Sequence, residues 1–174
     1  VNSVSLLSNP SLSGSEGQLT QDFRDVWLYI DDQLIGCFQT PFKIPILKEG
    51  AVNVKVYPAV RNNGIAGSKM IYPLVNYYEV NTQLTRNETT TINPVTSYVY
   101  NANFWIEDFE DASIKIQDDP NTSLASLFTT SENALPFNGF NYGKVLLNKT
   151  DSVWVANTTE QLFIAKNRPC FMEI

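Results

Sequence analysis

The feature that most limits how this chain can fold is hydrophobic alternation with a period of two. Val26, Leu28 and Ile30 alternate with Trp27, Tyr29 and Asp31 in a run rich in β-branched and aromatic residues. Successive side chains on a strand point to opposite faces, so this run buries one face and half-exposes the other. Asp31-Asp32-Gln33 interrupts it and Leu34-Ile35-Gly36-Cys37-Phe38 resumes it, which reads as a β-hairpin. Val52, Val54 and Val56 alternate with Ala51, Asn53, Lys55 and Tyr57, a half-buried strand expected to end at Pro58. Pro41 and Pro45 flank an edge-like strand over 42–47, because proline cannot donate to a central ladder. Asn62-Asn63-Gly64 is a turn of residues that tolerate positive φ. Segment 68–78 reads as irregular but aromatic, and 78–85 with 89–92 as a second hairpin around Arg86-Asn87-Glu88.

Residues 1–100 carry no sustained helical stripe. Six or seven short strands, with turns at the usual spacing of roughly 8–12 residues, predict an antiparallel β-sandwich of immunoglobulin-like size. The composition changes after a connector at 94–98, where Asn103-Phe104-Trp105-Ile106-Glu107-Asp108-Phe109-Glu110-Asp111 forms an aromatic and acidic patch. A polar stretch with one helical turn at 124–128 follows, then strands at 143–147, 152–156, 161–165 and 170–174. Residues 101–174 therefore read as the N-terminal part of a second β-sandwich, expected to continue beyond Ile174 because four or five strands leave an apolar edge open. The whole chain is all-β, with helix expected in under about a tenth of residues against a usual third.

Charge and composition narrow the function. Of 174 residues, 12 are basic and 18 acidic, for a net charge of −6, which argues against nucleic acid or an anionic membrane as partner. The absence of histidine removes the commonest general base and zinc ligand. A serine or cysteine nucleophile would lack its imidazole partner, and there is no GxSxG elbow, Walker loop or GxGxxG. Charged residues are 17% of the chain, with Ser, Thr and Asn in their place, a surface suited to the cell exterior. Val1 begins the chain without a basic-then-apolar signal, as in a soluble or already processed protein. Cys37 and Cys170 either pair in an oxidising compartment or fill apolar sites as small hydrophobes.

The acidic cluster is the candidate for chemistry. On a strand, Glu107 and Phe109 share one face and Asp108 and Glu110 the other. Glu107 with Glu110 is the pair a glycosidase would need; Asp108 with Glu110 and neighbours can supply oxygens to Ca²⁺; a solvated strand entry with one carboxylate capping a loop needs neither. Trp27, Trp105 and Trp154, with Tyr72, Tyr77, Tyr78, Tyr98 and Tyr100, can form a stacking platform for sugar or peptide, or fill core and half-exposed strand positions. Four N-x-S/T triplets match the glycosylation acceptor by composition alone.

Four motifs occur together in order: 25–36, Pro45-Ile46-Leu47-Lys48-Glu49-Gly50, Asn63-Gly64-Ile65 followed by Tyr72-Pro73, and Trp105-Ile106-Glu107-Asp108-Phe109-Glu110. They resemble a family of Bacteroidota outer-membrane and surface lipoproteins, over about residues 20–174. The resemblance implies an immunoglobulin-like domain followed by a concanavalin-like jelly roll, and a lipid anchor upstream of Val1. It also lends meaning to Asp151-Ser152-Val153, similar to an O-glycosylation acceptor of such proteins at Ser152. Lys69 stands where the family has arginine, and the family brings no catalytic residues. The function expected is a non-catalytic accessory subunit of an outer-membrane complex for β-barrel assembly, secretion or uptake, held on the extracellular face. Its partners would be other outer-membrane proteins, met through Phe42, Ile44, Ile46, Tyr72, Tyr77 and Tyr78. The alternative is a surface glycan-binding module, Ca²⁺-dependent through Asp108 and Glu110.

Overall fold

The computed structural model describes residues 1–132, 136 and 139–172. The chain divides into two compact units, Val1–Phe104 and Trp105–Ile174. Tyr98 meets Phe104 edge-on at 4.7 Å, which keeps 101–104 with the first unit. Among the described residues both units are built from strands and loops; two single 3₁₀ turns, Pro10–Leu12 and Asn62–Gly64, are the helical content. No helix of the described residues is long and apolar enough to cross a membrane.

The first unit holds β1 (Ser5–Leu6), β2 (Asp25–Ile30), β3 (Gln33–Gln39), β4 (Gly50–Arg61), β5 (Lys69–Ile71), β6 (Tyr78–Leu84) and β7 (Val95–Thr96). β2 to β6 form one antiparallel sheet in the order β3-β2-β4-β5, with β6 pairing the first half of β4. Asp31 and Asp32 connect β2 to β3 with φ of 48° and 62°, the left-handed geometry that a two-residue hairpin turn of matching twist requires. Aspartate tolerates it because both carboxylates find partners. Asp31 accepts the Asn53 N–H at 2.8 Å and pairs with Lys48, and Asp32 lies 2.5 Å from Lys55.

Alternation sorts the sheet into two faces. Val26, Leu28 and Ile30 with Val52, Val54 and Val56 are 0–7% exposed and form the core; each such side chain contributes about 1.5–3 kcal/mol. Val4 and Ile92 complete it, and Phe38, Phe42, Ile44, Ile46, Tyr78, Val80 and Leu84 pack against it. The cover of this face is extended chain rather than a second full sheet. Asn2 N–H donates to Ile92, Ser5 to Pro94 and Leu7 to Thr96, and β1 pairs with β7 in parallel.

Four expectations for this unit are corrected. The strand expected over 42–47 is absent: residues 43–49 make no backbone hydrogen bond with described residues, and Pro45 has no donor to offer. The strand expected over 89–92 is absent because the N-terminal segment takes the Ile92 carbonyl, a pairing 90 residues distant in sequence and invisible locally. β5 occupies part of the segment read as irregular. β4 runs through Pro58 to Arg61. The Pro58 carbonyl accepts the N–H of Tyr72, so the donor-less nitrogen faces the gap where β4 changes partner, from β6 at Val56 to β5 at Ala59.

The second unit holds β8 (Ile116–Asp118), β9 (Leu127–Thr130), β10 (Tyr142–Val145) and β11 (Ala156–Thr158), as the antiparallel pairs β9-β10 and β8-β11. Ala125 is its one buried residue among those described. The acidic patch is not a strand: Phe109 has φ of 60°, and the Glu107 and Asp108 carboxylates accept the backbone N–H groups of Phe109 and Glu110. The helical turn expected at 124–128 is also absent, because Leu124 and Ala125 both donate to the Val153 carbonyl and β9 begins at Leu127. That pairing delays the strand expected at 152–156 to β11. Residues 161–165 and 170–172 form no strand, and Glu173 and Ile174 lie outside the described residues.

Candidate functional site

The outer face of the five-stranded sheet carries what the core excludes. Because Val26, Leu28 and Ile30 point inward, Asp25, Trp27 and Tyr29 point outward, and β4 contributes Asn53, Lys55 and Tyr57 to the same side. Register places Trp27 opposite Tyr57 and Tyr29 opposite Lys55. Tyr57 meets Tyr29 edge-on at 5.3 Å, and Tyr77 stacks on Tyr57 at 4.7 Å with a 26° interplanar angle. These rings form a continuous aromatic row. Burial, and then Tyr77, push the Tyr57 phenol above its usual range. Trp27 Nε1 is buried without a hydrogen-bond partner among the described residues.

Two groups of ion pairs lie on the same face, toward opposite ends of β2 and β4. At one end Lys55 bridges Asp32 at 2.5 Å and Glu79 at 3.8 Å, while Asn53 donates to Glu79 and Asn81, both at 2.9 Å. At the other end Asp25, 2% exposed, lies 2.9 Å from Arg61 Nε and 2.6 Å from Lys69 Nζ. Burial alone would raise the Asp25 pKa; Lys69 and Arg61 more than offset it and hold the carboxyl below its usual range. Lys69, which stands where an arginine was expected, serves as a point charge here and leaves the planar contact to Arg61.

The other sequence-derived candidates are placed elsewhere. Phe42, Ile44 and Ile46 pack against the core. Tyr72 is 3% exposed and packs on Phe23 at 5.6 Å; Tyr78 also packs against the core, and Tyr77, 45% exposed, joins the row. Tyr98 is buried and Tyr100 exposed. In the second unit the Nε1 groups of Trp105 and Trp154 donate to Glu160 and Asp118, each at 2.8 Å. Ser152 is exposed, beside a turn in which Asn148 accepts the N–H groups of Thr150 and Asp151. Cys37 is half-buried and Cys170 exposed, and both are free thiols.

Glu110 does local structural work. Its carboxylate accepts the N–H groups of Phe140 at 2.6 Å and Asn141 at 2.8 Å, and the Asn141 amide at 3.1 Å. The Asn141 and Phe140 N–H groups hold it below the usual carboxylate range. Glu107 is likewise occupied by backbone N–H groups. Among the described residues no three of His, Cys, Asp and Glu are grouped as ligands for a metal ion. Gly139 makes the Glu110 arrangement possible: its φ is +74°, and a Cβ there would stand 2.2 Å from Glu110 Oε1. Gly139→Ala is expected to destabilise the second unit by about 1–2 kcal/mol from backbone strain alone, read as a lower denaturation midpoint by tryptophan fluorescence.

No family model, curated protein or solved structure matches this chain. The aromatic row was half legible in the sequence. Trp27 and Tyr77 stood among the candidates, whereas Tyr29, Tyr57, Asp25 and Arg61 did not. The signal was the aromatic content of the outward half of each alternation; what joins Tyr77 to Tyr57 is tertiary.

Proposed function

We propose that this chain is a non-catalytic, contact-making part of a lipid-anchored outer-membrane protein. It works as an accessory subunit of a complex for β-barrel assembly, secretion or uptake, on the extracellular face. The observation that carries this reading is the aromatic row Tyr29–Tyr57–Tyr77 on the outer face of the sheet. Tyrosines offer large contact area at low entropic cost, and tyrosine-rich patches rimmed by polar groups are what protein interfaces use. The row contains no nucleophile beside a base, and the carboxylates Glu107 and Glu110 are engaged by backbone N–H groups rather than aimed at a shared cleft. The family resemblance supports the location, the anchor upstream of Val1, the modification at Ser152, and the finer architecture of an immunoglobulin-like sandwich followed by a jelly roll.

Affinity purification of the native protein from detergent-solubilised outer membranes tests this. The expected result is co-purification with integral β-barrel proteins, reduced at least tenfold in the Tyr57→Ser, Tyr77→Ser double variant. Recovery alone, or in the soluble fraction without lipid, overturns it. The second reading is glycan binding on the same row, since sugars stack on tyrosine and the hydrogen-bonded Asn53, Glu79 and Asn81 group lies on the same sheet. Glycan-array binding that requires Ca²⁺ and fails in Asp108→Asn, Glu110→Gln would instead favour a separate, Ca²⁺-dependent glycan site in the second unit.

A further inference from the structure

We propose that the aromatic row takes a protein surface of bipolar charge, with a cation of the partner beside Asp32 and Glu79 and a carboxylate of the partner beside Arg61 and Lys69. This inference rests on the accessory-subunit reading and gives the chemistry of the partner at that same face. The two groups of ion pairs differ in what they show to solvent. In the group next to Tyr29, Lys55 keeps 19% of its side chain exposed, whereas Asp32 keeps 79% and Glu79 42%. One covered cation sits among two open carboxylates, so the solvent side of that group is acidic. In the group at β5 the order is reversed: Asp25 is 2% exposed, Arg61 35% and Lys69 26%. One covered carboxylate sits under two accessible cations, and the solvent side is basic.

Register puts both groups on the face that carries the rings: Lys55 lies opposite Tyr29 and Glu79, and Arg61 opposite Lys69. Between them Tyr29 and Tyr57 are half-buried and Tyr77 is exposed. Lys55 and Arg61 belong to the same strand, and its rise per residue sets them about 20 Å apart. The charges select among occupants. A uniform polyanion, whether nucleic acid or an anionic lipid surface, gains at the basic end and is repelled at the acidic one. A neutral glycan covers the rings and leaves both ends without a counter-charge. A protein surface supplies both signs, with apolar or ring groups over the tyrosines between them. A second copy turned end for end also presents both signs, but the net charge of −6 opposes self-association. The opposed signs fix the direction in which the partner lies, because the reversed orientation sets like charges together. Such complementarity acts on orientation and encounter rate, and salt screens it because the charges involved reach solvent.

Rebinding of the partner that co-purifies from native outer membranes tests the proposal, with dissociation constants of the full-length protein compared across salt and variants. Between about 50 mM and about 500 mM NaCl the wild-type affinity is expected to fall by about tenfold or more. Asp32→Asn keeps a residue that tolerates the left-handed turn, and Glu79→Gln keeps an acceptor for Asn53. Together they are expected to weaken binding by about fivefold or more, through slower association. Glu88→Gln, which removes one exposed carboxylate from the 85–88 turn beyond β6, is expected to leave binding unchanged. Melting temperatures identify a variant that binds weakly because it unfolds, and the wild-type salt series then decides. Carbodiimide coupling read by mass spectrometry is expected to join Asp32 or Glu79 to a partner lysine and Lys69 to a carboxylate of the same partner. Binding that is lost in Tyr57→Ser, Tyr77→Ser but indifferent to salt and to the carboxylate variants overturns the bipolar site and leaves the accessory-subunit reading standing. Coupling of Asp32 to Lys69 of a second copy overturns it in favour of self-association. Recovery of the wild-type protein alone overturns both the site and the reading.

Discussion

Asp25→Ala is expected to cost the first unit about 3 kcal/mol of unfolding free energy at neutral pH, the low end of the range for breaking a buried ion pair. The low end applies because Arg61 keeps 35% of its side chain exposed and can rehydrate, whereas Asp25 itself is 2% exposed. Removing the carboxylate leaves two cations, Arg61 and Lys69, facing one another across β4 and β5 with nothing between them. The effect depends on pH with a definite sign. The folded pKa of Asp25 lies below its unfolded value, so its stabilisation is fully present above about pH 3.9 and is lost as pH falls through the folded value. Asp31, Glu110, Asp118 and Asp119 are shifted the same way by their N–H and cation partners. The wild-type protein should therefore lose stability steeply below about pH 4, and Asp25→Asn should flatten that loss. Urea denaturation at pH 7 and pH 3 checks both; an unchanged acid slope in Asp25→Asn would show that the triad is not coupled to folding.

Leu28→Ala is expected to cost about 2–5 kcal/mol, the range for emptying a core leucine site. Leu28 is 3% exposed in the middle of β2, between Gly36 of β3 and Val56 of β4. The Phe38 ring stands over Gly36 on the β3 flank, so how far it relaxes toward the emptied site sets where in that range the loss falls. Leu34→Ala on the same hairpin, at 47% exposed, should stay within about 0.5 kcal/mol of wild type. Paired denaturation curves for the two variants measure which face of the hairpin is core. Equal losses would mean that the alternation had been assigned to the wrong faces.

The alternations in 26–38 and 51–57 were enough to place β2, β3 and most of β4, and to say which half of each is core. Period-two burial is a local property, written in consecutive residues. The Asp31-Asp32 turn was legible for the same reason. Local reasoning failed wherever a distant segment competed for the same backbone groups. Residues 89–92 lost their strand to Asn2, Pro58 stayed inside β4 because two different strands meet opposite it, and the Glu107–Glu110 carboxylates turned back onto their own loop. The 42–47 segment kept its alternation without becoming a strand: Phe42, Ile44 and Ile46 pack against the core, Phe42 pairs its backbone with Val1, and 43–47 make no backbone hydrogen bond with described residues.

The sequence by itself determined an all-β protein, its main hairpin, its inward-facing valines and the absence of histidine chemistry, because each of these follows from composition or from the two-residue repeat. Only the tertiary structure decided that Tyr29, Tyr57 and Tyr77 form one row and that Asp25 is buried between Arg61 and Lys69. Those contacts join residues 20 to 44 positions apart, brought together by the register of separate strands. A one-residue slip in that register would have sent every one of these side chains to the opposite face.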